Sequence, residues 1–180
     1  MEDYLTTNYL MKTRLKIFLL AASILIPAGL VDAAVRQGSV ELGFSGAYSR
    51  LRVADSKVRL RLLDVSAGYF VTPEVQISGM GGYLHSKIDG EKMKALTLGA
   101  GLDYHFMTRT QFVPYVGGAL RWADFDAGAF SKDDWAWELR AGAKQFLNRN
   151  TAIKYQISYL EFDDVSIHGT NFSVGISFFF

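Results

Sequence analysis

The sequence predicts an all-β fold: an eight-stranded, antiparallel, up-and-down transmembrane β-barrel. Three observations predict it. Beyond the N-terminal segment, apolar side chains recur with period two rather than 3.6, the repeat of a strand. The links between these segments alternate between short and long, as in membrane barrels with tight turns on one rim and loops on the other. The composition sets 17 glycines and 14% aromatic residues against only 3 prolines in 180 residues. A soluble domain would need a large core to bury so many rings, whereas a closed ladder has little use for a residue without an N–H.

The absence of cysteine excludes thiolate zinc sites, disulfide scaffolds, iron–sulfur ligation and a lipid-modified cysteine anchor. A formal net charge of +1 offers no electrostatic footprint for nucleic acid. No cofactor and no resident metal ligand is assigned.

The first element is a leader, residues 1–33. A basic stretch from Met11 contains Lys12, Arg14 and Lys16, and an uncharged run follows from Ile17 to Val31. Val31 and Ala33 then stand before a cleavage point after Ala33, the three-part pattern of a secretory signal peptide. The run is shorter than the roughly 20 residues of a spanning helix. Glu2 and Asp3 are foreign to a signal n-region, so residues 1–10 read as a start-site extension ahead of Met11. The expected domains are a signal-peptide helix within 1–33 and a barrel over 34–180.

The strands follow in order. Over 39–49, Val40, Leu42, Phe44 and Tyr48 alternate with Glu41, Gly43, Ser45 and Ala47. Over 59–70, Leu63, Val65, Ala67 and Tyr69 oppose Asp64, Ser66 and Gly68. Over 75–85, Val75, Ile77 and Tyr83 oppose Gln76, Ser78 and Gly82; over 95–106, Leu96, Leu98, Leu102 and Tyr104 oppose Thr97, Gly99, Asp103 and His105. The segment 112–122 is apolar or small on both faces, which leaves its facing open. Over 135–147, Trp137, Leu139 and Ala141 oppose Glu138, Arg140 and Lys144; over 151–161, Ile153, Tyr155 and Ile157 oppose Lys154, Gln156 and Ser158. The last strand, 169–180, sets Phe172, Val174, Ile176, Phe178 and Phe180 against Ser173, Gly175 and Ser177. Short links fall at 71–74, 107–111 and 148–150, and long charged ones at 50–58, 86–94, 123–134 and 161–168.

The two faces decide between membrane and soluble barrels. The bulky face suits lipid, with aromatic rings at strand ends forming girdles. The other face mixes glycine and serine with Glu41, Asp64, Asp103, Glu138, Arg140, Lys144 and Lys154. An eight-stranded barrel has room inside for side chains only, so these charges are expected to pair as a plug of the lumen, or else to line a narrow water path.

The C-terminal run from Phe172 to Phe180 resembles the terminal strand of bacterial outer-membrane proteins, and Gly99–Phe106 and Pro114–Leu120 are similar to the repeated phrases of small porin-like barrels of the OmpA type and the OmpX/Ail type. The resemblance implies insertion in the outer membrane of a Gram-negative bacterium as a monomer. It further implies that Phe172, Val174, Ile176, Phe178 and Phe180 serve as an assembly signal read by the barrel-assembly machinery.

Candidate sites lie on the long links. Arg50, Arg52, Lys57, Arg59, Lys87, Lys92 and Lys94 make a basic rim suited to anionic groups, lipopolysaccharide phosphates or a host-surface polymer. Asp124, Asp126, Asp133, Asp134, Asp163 and Asp164 read as solvated acids, since no calcium-loop spacing is present; the alternative is a calcium bridge to neighbouring lipopolysaccharide phosphates. A lipid A deacylase resemblance would need His-x-Ser; His168 is followed by Gly169 and Thr170, and His85 directly precedes Ser86, which puts them on opposite faces of a strand. No catalytic residue is assigned. The expected role is structural or interactive at the cell surface, with a low-conductance channel as the alternative and an enzyme on lipid A third.

Overall fold

The computed structural model describes residues 35–53, 56–88, 91–126, 131–163 and 168–180; the expected leader lies outside them. Eight strands follow one another: β1 (Val40–Val53), β2 (Ser56–Phe70), β3 (Val75–Ile88), β4 (Glu91–His105), β5 (Phe112–Asp126), β6 (Ser131–Asn148), β7 (Thr151–Phe162) and β8 (His168–Phe179). Each pairs antiparallel with its sequence neighbours, and β1 pairs with β8 to close the barrel. Closure extends one residue past β8: the Val40 N–H donates to the Phe180 carbonyl at 3.0 Å, and the Phe180 N–H returns a bond to the Val40 carbonyl at 2.9 Å. Closure leaves no unpaired edge, a requirement of any sheet in hydrocarbon.

The alternation is turned inside out. Leu63 is 64% exposed on the outer wall, whereas Glu41 and Lys144 are 3% and 1% exposed inside. Strand β5 takes its facing from its register with β4 and β6. Val113, Tyr115, Ala119 and Arg121 are buried inward, and Phe112, Val116 and Leu120 are exposed outward.

The strands run further than their alternation predicts. Arg50, Arg52, Lys57, Arg59, Lys87, Lys92 and Lys94 are not in loops; all lie on paired strands. The acidic positions Asp124, Asp126, Asp133 and Asp134 do too. Backbone pairing needs no apolar side chain, so the ladder continues past the hydrocarbon after the apolar repeat has stopped. A strand of roughly 9–11 residues already spans the membrane; β2, β4 and β5 have 15 residues and β6 has 18.

At the short-turn rim the lumen is apolar. Val35, Phe70, Val113, Phe146, Ala152 and Phe179 form one buried cluster. Phe179 accounts for the triple phenylalanine at the C-terminus. Phe178 and Phe180 lie on the outer wall, and the ring between them points inward against Phe70 and Phe146.

Candidate functional site

Above the apolar cluster the lumen is crossed by three polar rungs. Strand β6 supplies a residue to each, because Glu138, Arg140 and Lys144 share its inward parity. In the lowest rung the Lys144 Nζ donates to Glu41 Oε2 at 2.5 Å, to Gln76 Oε1 at 3.1 Å and to His105 Nε2 at 2.8 Å. The Gln76 amide closes the triangle with a bond to Glu41 Oε2 at 2.7 Å. In the middle rung Arg140 grips Asp103 with two N–H groups, at 2.6 and 3.0 Å, and reaches Ser78 Oγ at 3.2 Å. In the uppermost, Arg121 bridges two carboxylates: Glu138 at 2.6 Å and, across the barrel, Asp64 at 2.9 Å.

Glycines make this possible. A Cβ at Gly117 would overlap the Asp103 carboxylate, and one at Gly101 would lie 2.6 Å from an Arg140 nitrogen. The forked Arg140–Asp103 pair therefore fits only because its neighbours on β4 and β5 have no side chain.

Of the seven charges named from the sequence for the lumen, six join these rungs. Lys154 faces the lumen without an ion pair among the described residues; its Nζ lies 5.9 Å from the centre of the Tyr115 ring. Sequence reasoning missed Arg121, which sets a fourth base against the four acids named for the lumen from the sequence, and gave no role to His105 or Tyr115. A signal for Arg121 existed: it is the single charge in Phe112–Trp122, and one charge is enough to set which parity faces a polar lumen.

The outer wall carries a second arrangement. On β1–β4 the outward parity is apolar up to one register row, Gly46–Leu63–Tyr83–Leu96. The next row is Tyr48–Arg61–His85–Lys94, and the one above it is Arg50–Arg59–Lys87–Lys92, with Arg52 opposite Lys57 beyond. The change from apolar to basic thus falls at one level on β2–β4, and one row further along on β1, at Arg50. On the neighbouring sector Asp124 is opposite Asp133, and Asp126 is opposite Lys94. The long-link rim is therefore basic over β1–β4 and acidic over β5–β6. Asp134 points inward and is 4% exposed, its carboxylate accepting the Trp135 N–H at 2.7 Å. Asp163 is exposed after β7, and Asp164 lies outside the described residues. No cluster of three His, Asp or Glu able to hold a metal occurs among the described residues.

A family model described as outer membrane protein beta-barrel domain matches residues 17–180. The chain belongs to that family. It is an outer-membrane β-barrel. No curated protein sequence matches it. Among solved structures it is similar to the N-terminal β-barrel domain of Pseudomonas aeruginosa OprF, at 22% identity and a TM-score of 0.59, covering 80% of this chain and 98% of that one. It is similar to Neisserial surface protein A, at 17% identity and a TM-score of 0.58, covering 78% and 98%. It is also similar to Ail, the attachment invasion locus protein of Yersinia pestis, at 14% identity and a TM-score of 0.53, covering 80% and 99%. Ail has been crystallised in complex with the heparin analogue sucrose octasulfate. These likenesses are of fold.

Proposed function

We infer that this outer-membrane barrel is a surface-interaction protein whose basic sector engages the anionic groups of the lipopolysaccharide leaflet. One observation carries the reading: the cross-strand register of the basic rows directly above the apolar band. Like charges directly opposite on neighbouring strands are destabilising. Arg50 with Arg59, Arg59 with Lys87, and Lys87 with Lys92 therefore concentrate positive charge at one level, which suits an anionic partner. Their register rows follow directly on the apolar row Gly46–Leu63–Tyr83–Leu96 and the row Tyr48–Arg61–His85–Lys94. The complex of Ail with the heparin analogue sucrose octasulfate supports this reading. With the long links outside the cell, the sector faces the outer leaflet. The cross-lumen ion pairs and the apolar cluster beneath them support a plugged interior over a conducting one.

The test replaces Arg50, Arg52, Lys57, Arg59, Lys87, Lys92 and Lys94 with Gln and measures co-sedimentation with lipopolysaccharide and with phosphatidylcholine vesicles. Lipopolysaccharide binding should fall by at least about tenfold and lose its salt dependence, with phosphatidylcholine binding unchanged. Equal lipopolysaccharide binding by the substituted and native proteins would overturn the reading.

A further inference from the structure

The lumen is not completely filled. A cavity of about 290 Å³ runs from the lower rungs toward the long-link rim. It opens along the wall where β8 and the middle of β1 offer short side chains, among them Ser45, Asn171 and Ser173; Glu41 of β1 lies lower, bound by Lys144. Its upper part is apolar: Leu62, Leu84, Phe125, Leu160 and Phe162 surround it, and Phe125 and Phe162 pack edge to face at 5.1 Å. Its lower part reaches Lys154 and Gln156. Beneath that the lumen is closed by the Phe70–Phe146–Phe179 cluster.

Lys154 distinguishes this cavity from a packing defect. It stands directly opposite Lys144 in the β6–β7 register, and the carboxylate that serves this pair, Glu41, is bound by Lys144. The other luminal bases are matched: Arg121 has two carboxylates and Arg140 has one. A lysine inside a barrel without its own counter-ion is costly, and an anion placed beside it would be held strongly. Glu41, Asp64, Asp103 and Glu138 also line the cavity, so repulsion rises with the charge of the ligand, and one negative charge is what the Lys154 ammonium can match.

We propose that the lumen cavity, with Lys154 at its foot and the Leu62–Leu84–Phe125–Leu160–Phe162 collar above, is a binding site for a short amphiphilic carboxylate. The carboxylate meets the Lys154 ammonium, and the apolar tail lies in the collar. At about 30 Å³ for a water-sized group, the cavity holds roughly ten heavy atoms, the size of octanoate. The closed lower end makes this a site of retention rather than of passage. The site is separate from the basic sector of the outer wall.

The experiment uses the protein purified from membranes, placed in phosphatidylcholine nanodiscs and titrated with ¹³C-carboxyl octanoate, with empty nanodiscs as the partition control. Native protein should bind saturably at one site and prefer octanoate to octanamide by about tenfold or more, the worth of a charge-assisted hydrogen bond. Lys154→Arg should retain binding, Lys154→Met should lose about tenfold, and Ser173→Phe, which fills the cavity, should abolish it. Uptake that never saturates beyond the nanodisc control would overturn the proposal, as would equal affinity for octanoate and octanamide. Because that ratio is read on the native chain, the result stands even if a variant fails to fold.

Discussion

Replacing Arg121 with Met tests the interior most sharply. The guanidinium holds Glu138 at 2.6 Å and Asp64 at 2.9 Å. Without it, Glu138, whose side chain is 3% exposed, keeps among the described residues only the Gln156 amide at 3.5 Å. Asp64, at 16%, borders the cavity and recovers more solvation, so Glu138 dominates the loss. Removing one partner of a buried pair costs about 3–5 kcal/mol. A loss of about 4 kcal/mol lowers the folded-to-unfolded ratio roughly a thousandfold. The assay is reversible urea unfolding in lipid vesicles, followed by tryptophan fluorescence. The triple variant Arg121→Met, Asp64→Leu, Glu138→Leu should regain most of that stability, because an apolar replacement of a whole buried network is often neutral. A single variant within about 1 kcal/mol of the native protein, or a triple variant as unstable as the single one, would refute the claim that this rung is a desolvated ion pair.

Further outcomes follow from the same geometry. Gly117→Val should drive a side chain into the Asp103 carboxylate and cost about 1–3 kcal/mol, measured by the same unfolding. Planar-bilayer recording of the native protein should show no steady conductance if the rungs and the apolar cluster act as the proposed plug; a stable open level would contradict it. Deleting Phe180 removes the reciprocal bonds with Val40 and the last residue of the assembly signal implied by the family resemblance. The heat-modifiable folded band on a gel should then form more slowly in outer-membrane fractions, and unchanged kinetics would remove that role.

How far the fold was legible depended on how far the membrane imposes an alternation. Within the hydrocarbon, Leu63, Val65 and Tyr69 against Asp64, Ser66 and Gly68 located β2 from its residues alone, and the barrel followed from the repetition of that pattern. Past the hydrocarbon the pattern carried no such information. Arg50 and Lys57 read as loop residues and are strand residues, because a ladder holds through its backbone whatever its side chains. Small residues on both faces of 112–122 concealed the facing of β5, and with it Arg121. The apolar cluster of Phe70, Phe146 and Phe179 went unread, since the inward parity otherwise carries glycine, serine and charge. Which base meets which acid was not readable at all. Arg121 joins β5 to β2, and Lys144 joins β6 to β1, pairings across the lumen that depend on the shear of the closed sheet.

The central claim is that this chain is a barrel with polar residues inward and apolar residues toward lipid. The absence of native cysteine permits its most direct test. Single cysteines at successive positions from Leu63 to Tyr69 on β2 are spin-labelled in lipid vesicles, and their accessibility to oxygen, which concentrates in the hydrocarbon, is measured. The account predicts high accessibility at positions 63, 65, 67 and 69 and low accessibility at 64, 66 and 68. A flat profile, or one of the opposite phase, would contradict it.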